Sequence, residues 1–148
     1  MNRAELGGQT LAEPAFSAKK LLQEAGLRPT HQRVYIADIL FSTGDRHLSA
    51  EEILFEIKNR GLSVSLATIY NNLNSFTEAG ILREILTDGS RKYYDTNTSN
   101  HHHFFIEESF EIIDIPADDL GVNSEPEPPP GYEVTGVDVV VRLRRIRD

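Results

Sequence analysis

Three consecutive histidines, His101, His102 and His103, are the most concentrated ligating chemistry in the chain. In an extended strand neighbouring side chains alternate faces, so His101 and His103 would point one way and His102 the other. Imidazole nitrogens bind zinc, iron, manganese and haem iron, with carboxylates completing many such sites. The competing explanations are an exposed imidazole cluster on a loop or an engineered tag, and the internal position argues against a tag. The sequence contains no cysteine, which excludes disulfides, thiolate zinc sites and Cys-ligated haem. Any metal must therefore sit among His, Asp and Glu.

A second stretch, Ser65 to Ala79, carries chemistry of another kind. Leu66, Ile69, Leu73 and Phe76 recur at helical spacing and form one apolar stripe. The opposite face centres on Asn71, flanked by Ala67, Thr68, Asn74 and Ser75. It is polar, uncharged and short in reach, whereas a solvated helix face usually carries Glu and Lys. Asn suits adenine, and Ala or Thr methyls suit thymine. This reads as the recognition helix of a DNA-binding module, set against a helix buried between polar neighbours.

The elements around these groups support that reading. A short helix is expected from Phe16 to Leu27. A second follows from the N-cap Thr30 to about Ser42, burying Val34, Ala37 and Ile39 to Phe41, with Arg33 on its open face. Ser49 and Glu52 form a capping box ahead of Ile53, Leu54 and Ile57, and Gly61 sits where a helix would end. Two amphipathic helices joined by a short Gly-containing connection make a helix-turn-helix. Beyond Gly80, Ile81–Thr87 and Arg91–Asp95 read as a β-hairpin around Asp88-Gly89, the wing of a winged helix. Arg91 and Lys92 beside its tip are either phosphate contacts or ordinary edge charges.

Residues 97–100 are a polar linker between a DNA-binding part, 15–96, and a second part, 101–148; residues 1–14 form a disordered lead-in. The second part offers strands at His101–Ile106, Phe110–Ile115 and Tyr132–Ile146, one helical turn at Ala117–Leu120, and a proline-rich segment from Asn123 to Gly131. Three short strands with so little cover make a poor core alone, so pairing with a second copy is expected. The fold class is α+β: an amino-terminal winged helix-turn-helix domain followed by a small α/β dimerisation domain.

The net charge of −8 is unevenly spread. Residues 1–96 carry 11 Lys/Arg against 12 Asp/Glu, and residues 97–148 carry 4 against 11. The first part can still present a basic face to DNA, while the second cannot be a phosphate-binding surface. No run reaches membrane-spanning length and no secretory leader opens the chain, so a cytoplasmic address is expected.

From about Leu21 to Ile115 the chain resembles the ferric-uptake-regulator (Fur) family of bacterial repressors. The matching marks run from Ala25 to Arg33, from His47 to Glu51, from Leu66 to Tyr70 with Leu73 and Phe76, at Ala79-Gly80-Ile81, and at His101 to His103. The resemblance implies a dimer bound to a double-stranded DNA operator. It places Tyr70 and Asn71 against the bases, with Ala67, Thr68 and Asn74 on the same face, and Arg28 toward the minor groove. Arg33, Arg91 and Lys92 would add phosphate contacts.

The regulatory metal site carries over onto His47, Asp95, His103 and Asp114, with His101 adjoining. Asp95 and Asp114 stand where the family commonly has the longer Glu. Such a set suits Zn²⁺, Fe²⁺ or Mn²⁺. Ile106 to Ser109 occupies the place of the family's first structural-zinc Cys pair, so that site is absent, and the proline-rich stretch replaces a dimerisation helix. The first departure, with the histidine run, resembles the iron-response-regulator (Irr) branch, which uses haem as its signal; His101, His102 and His103 would then be the haem ligands.

The expected function is a dimeric regulator of iron- and haem-related genes whose DNA affinity follows haem or iron status, with a divalent-metal co-repressor mechanism as the alternative. A metal-dependent hydrolase would need a nucleophile or an open metal position in a substrate pocket, and no such constellation accompanies the histidines. A storage module leaves the recognition helix and wing without purpose.

Overall fold

The computed structural model describes residues 15–85, 87, 91–121 and 125–147. The expected lead-in and the Asp88-Gly89 turn lie outside the described residues.

Four helices open the chain: α1 (Ala18–Glu24), α2 (His31–Phe41), α3 (Ala50–Asn59) and α4 (Leu66–Glu78). Each starts on a hydroxyl residue, Ser17, Thr30, Ser49 or Ser65, whose side chain accepts the amide three residues on. A cap of this kind is worth about 1 kcal/mol. At Ser49 the full capping box forms, with the Glu52 carboxylate accepting the Ser49 amide at 2.9 Å. Helix α1 is shorter than expected at both ends: Ser17 caps it late, and the Gly26 turn closes it early. Gly61 and Gly80 take φ of 78° and 81°, which lets Leu62 and Ile81 donate back to Ile57 and Phe76 and end α3 and α4.

The helices enclose one core built on Leu22, Ile36, Ile39, Leu40, Ile53, Ile57, Ile69, Leu73 and Phe76. Truncating any of these to Ala would cost about 2–5 kcal/mol. None of the described helices is long and apolar enough to cross a membrane.

Two three-stranded sheets follow. The first, in order β1-β3-β2, is antiparallel and made of His47–Ser49, Tyr93–Asp95 and Arg83–Ile85. Its two faces serve different cores. Leu48 and Tyr94, paired across β1 and β3, join the helical core; Tyr93 and Ile85, on the other face, join a second core with Phe105. Strand β1 was not foreseen, because three residues are too few to show a period.

The second sheet, in order β5-β4-β6, pairs β4 (His101–Ile106) antiparallel with β5 (Ile112–Pro116) and parallel with β6 (Val140–Leu143). A single turn, α5 (Ala117–Leu120), follows β5. The expected strand over residues 132–146 is only four residues long. Its pairing with β4 runs from His103–Val140 to Ile106–Leu143 and stops where β4 stops, since a strand needs a neighbour. Part of the cover for the carboxy-terminal strands comes from the first sheet: Phe105 of β4 packs on Tyr93 of β3 with ring centroids 6.2 Å apart. Phe110, Ile113 and Tyr132 remain exposed.

Candidate functional site

Register places the cluster. His47 of β1 and Arg83 of β2 both pair with Asp95 of β3, so the three side chains form one row across the first sheet. That row faces the second sheet, where His103 pairs with Asp114 and His101 lies two residues away on the same side. One donor atom from each of His47, Asp95, His101, His103 and Asp114 lies within 4.8 Å of all the others.

Asp95 is the centre. It is fully buried, and its Oδ2 lies 2.6 Å from His101 Nε2, 2.8 Å from His103 Nε2 and 3.3 Å from His47 Nε2. Its Oδ1 accepts the Asn97 amide at 2.8 Å. Asp114 Oδ1 lies 2.7 Å from His47 Nε2 and 3.4 and 3.5 Å from those of His101 and His103. Burial alone would raise the Asp95 pKa, but hydrogen bonds from His103, His47, the Asn97 amide and His101 together hold it well below the usual carboxylate range. Burial likewise opposes protonation of His47, yet Asp95 and Asp114 outweigh it and raise its pKa above the ordinary 6.5.

The donor set fits a divalent cation, and His101 shows why. Its Nδ1 lies 2.6 Å from the Ser99 carbonyl, which can only accept, so that nitrogen carries a hydrogen. A neutral His101 then presents a bare Nε2 lone pair to a carboxylate oxygen 2.6 Å away. Lone pairs at that distance repel, so a proton or a cation must lie between them. A backbone carbonyl fixing the tautomer of an imidazole is the usual outer support of a metal ligand.

His102 is not part of this set. It faces the other side of the sheet, is 5 % exposed, and its Nδ1 accepts the Val139 amide at 3.1 Å. The expected alternation divides the run, and each of the three rings has a partner within the chain.

The helix-turn-helix is α3 and α4. Along α4 the exposed residues are Ala67, Asn71, Asn74 and Glu78, with Thr68 half-buried beside them. The helix thus offers the expected short polar face. Tyr70 is half-buried against the core, and its hydroxyl donates to Glu51 Oε2 at 3.3 Å. Arg28, Arg91 and Lys92 are exposed. Arg33 is not on an open face as expected: its Nε donates to Asn72 Oδ1 at 3.3 Å and its Nη1 to the Arg28 carbonyl at 3.1 Å.

Asn72 itself was missed. It is buried and ties α2 to α4 through Arg33, also donating to the Thr68 carbonyl at 2.9 Å. Its position between Asn71 and Leu73, off the exposed stripe, was the available signal. Ser99, Arg83 and Arg46 were missed as well. Arg46 joins α2 to α3, donating to the Ile39 carbonyl at 2.8 Å and pairing with Glu56 at 2.7 Å, and so steadies β1 and His47.

A helix-turn-helix domain joined to a small α/β unit, with imidazoles and carboxylates gathered at the junction, defines the architecture. The sequence profile of the ferric uptake regulator family matches residues 24–141, and the chain belongs to that family. The peroxide-responsive repressor PerR of Staphylococcus epidermidis is 39% identical over 94 residues, covering 64% of this chain and 62% of its own length. The match thus spans less than two thirds of that relative. The ferric uptake regulator of Pseudomonas aeruginosa, solved with manganese, superposes with a TM-score of 0.68 at 26% identity, over 89% of this chain and 100% of its own. The Campylobacter jejuni peroxide stress regulator gives a TM-score of 0.57 at 25% identity, over 87% and 93%.

Proposed function

We propose that this protein is a dimeric, sequence-specific transcriptional regulator whose operator affinity depends on a divalent metal held by His47, Asp95, His101, His103 and Asp114. The observation that carries the reading is the convergence of five donor atoms from two sheets. His47 and Asp95 belong to the sheet packed on the helix-turn-helix, and His101, His103 and Asp114 to the other. Residues 15–96 are taken as the DNA-reading part and 101–148 as the dimerisation part, joined by 97–100.

A bound Mn²⁺, Fe²⁺ or Zn²⁺ supplies positive charge where protons otherwise serve. Asp95 and Asp114 neutralise that charge, His47, His101 and His103 orient by their Nε2 atoms, and the Ser99 carbonyl holds His101 in the ligating tautomer. With the sheets tied together, the angle between the two parts is set, and in a dimer that angle sets the separation of two α4 helices. Ala67, Thr68, Asn71 and Asn74 face the bases. Tyr70 joins them once it leaves Glu51, and Arg28, Arg91 and Lys92 anchor phosphates, while Arg33 is held by Asn72 and the Arg28 carbonyl.

The metal reading is preferred to haem because His101 and His103 are 5 % and 2 % exposed and turned onto Asp95. The relatives named above are a peroxide-responsive repressor, a peroxide stress regulator and a ferric uptake regulator solved with manganese, which favours the metal reading. Family membership favours a regulator over a metal-dependent enzyme. Similarity to peroxide-responsive repressors favours one second reading, in which peroxide is the signal. The test is selection of duplexes from a random pool, with Mn²⁺, chelator or haemin added. Enrichment of one sequence only with Mn²⁺ supports the metal reading. Equal enrichment with chelator overturns it, and loss of the Mn²⁺ complex on adding hydrogen peroxide supports the second reading.

A further inference from the structure

The cross-strand row His47–Asp95–Arg83 sets an arginine beside two members of the cluster. Arg83 donates through Nη1 to the Ser99 carbonyl at 3.2 Å and through Nη2 to the His101 carbonyl at 3.1 Å, and it pairs with Asp138. The Ser99 carbonyl is also the acceptor for His101 Nδ1. One oxygen therefore joins guanidinium and imidazole, and the backbone is held on both sides of the His101 amide.

The other end of this connection is the reading helix. Arg83 opens β2, three residues beyond Gly80, and the bond from the Ile81 amide to the Phe76 carbonyl leaves little slack between α4 and that strand. Asp138 precedes Val139, whose amide holds His102. From the base of α4, Arg83 thus touches the start of β4 and the residue two before β6, at one end of their parallel pairing.

An ordinary surface ion pair does not explain this geometry. Arg60 and Asp38, at 3.2 Å, are such a pair, with both side chains near half exposed. The Arg83 side chain is 20 % exposed and spends its fork on two carbonyls and a carboxylate, which a lysine's single ammonium cannot reproduce.

We propose that Arg83 is a positioning residue that couples the orientation of His101 in the metal site to the carboxy-terminal end of α4 through the Ser99 and His101 carbonyls. The inference rests on the metal-regulator reading above. Outer partners of metal ligands typically account for about 10–100-fold in affinity, and Arg83 acts one carbonyl further out, so a loss of about tenfold is expected.

The test compares the full wild-type chain with Arg83→Ala, Arg83→Lys and the surface control Arg60→Ala. Three quantities are read: zinc affinity by chelator competition, the His101 Nδ1–H signal by ¹⁵N NMR with and without zinc, and zinc-induced amide protection over residues 76–85. Arg83→Ala is expected to lose about tenfold in zinc affinity, to broaden the His101 signal in both states, and to lose zinc-induced protection in 76–85. Arg83→Lys should recover part of each, and Arg60→Ala should match wild type. Zinc affinity within about twofold of wild type, with an unchanged His101 signal, overturns the proposal. Should Arg83→Ala not fold, Arg83→Gln keeps an amide donor and is judged by the same three measurements. A wild-type chain that binds no zinc at all would instead overturn the metal reading itself.

Discussion

Asp95 and His101 are six residues apart in the chain but belong to different sheets, and their side chains meet at 2.6 Å across the junction. The contact is made by a strand end and a strand start separated by residues 96–100, which are themselves stitched by Asn97. Its backbone amide donates to Asp95 Oδ1, and its side-chain Oδ1 accepts the Ser99 amide at 3.0 Å and hydroxyl at 2.6 Å. The carbonyl that orients His101 belongs to Ser99. Linker, tautomer and ligand position are therefore one construction.

Replacing Asp95 by Asn should weaken metal binding more than any other single change in the cluster, by well over tenfold, because Asp95 is fully buried and its Oδ2 lies closer to His101 and His103 than the more exposed Asp114 does. The metal-free variant should also lose about 1.5–3 kcal/mol, the scale of a hydrogen bond to a charged group. Titration calorimetry with Mn²⁺ and urea unfolding without it measure the two effects. Unchanged affinity would remove Asp95 from the ligand set.

Stability of the metal-free protein should depend on pH at both ends. The Asp95 pKa is lowered, so its contribution is present above the ordinary carboxylate value of 3.8 and declines as pH falls below it. The His47 pKa is raised, so its contribution is full below 6.5 and is lost as pH climbs through the raised value. Metal affinity should run the other way at the upper end, rising with pH as His47 gives up its proton. Urea midpoints from pH 3 to 9, with and without Zn²⁺, would show the opposed slopes.

Two neighbouring asparagines should behave differently. Asn71→Ala removes an exposed side chain from the reading face and should leave stability unchanged while lowering specific duplex binding about tenfold. Asn72→Ala removes a buried side chain bonded to Arg33 and Thr68, and should cost about 1–3 kcal/mol in unfolding. A stable Asn72→Ala, or an Asn71→Ala variant that binds like wild type, would contradict the orientation of α4.

Specific duplex affinity should fall steeply with salt, and Arg28→Ala or Arg91→Ala should each reduce the logarithmic slope by about one. Both side chains are exposed and make no ion pair among the described residues, so neither change should disturb the fold. Gel shifts across a salt series measure the slope.

The four helices were legible because their determinants are local. Ser17, Thr30, Ser49 and Ser65 cap, Gly26, Gly61 and Gly80 terminate, and apolar residues repeat at helical spacing in α3 and α4. The strands were less so. Tyr93-Tyr94-Asp95 is buried on both faces and shows no alternation, and His47–Ser49 is too short for any. The ligand types, and through family resemblance their positions, were also readable in the chain.

The sequence by itself determined the helix-turn-helix, the absence of thiolate chemistry, and the alternation that splits His102 from His101 and His103. Only the tertiary structure decided that Asp95 is the hub, that Ser99 sets the tautomer, that Arg33 turns inward to Asn72, and that Arg83 shares a cross-strand row with His47. Those facts depend on register and on how two sheets stack. Both are set by pairings between residues dozens of positions apart, and no local spacing specifies them.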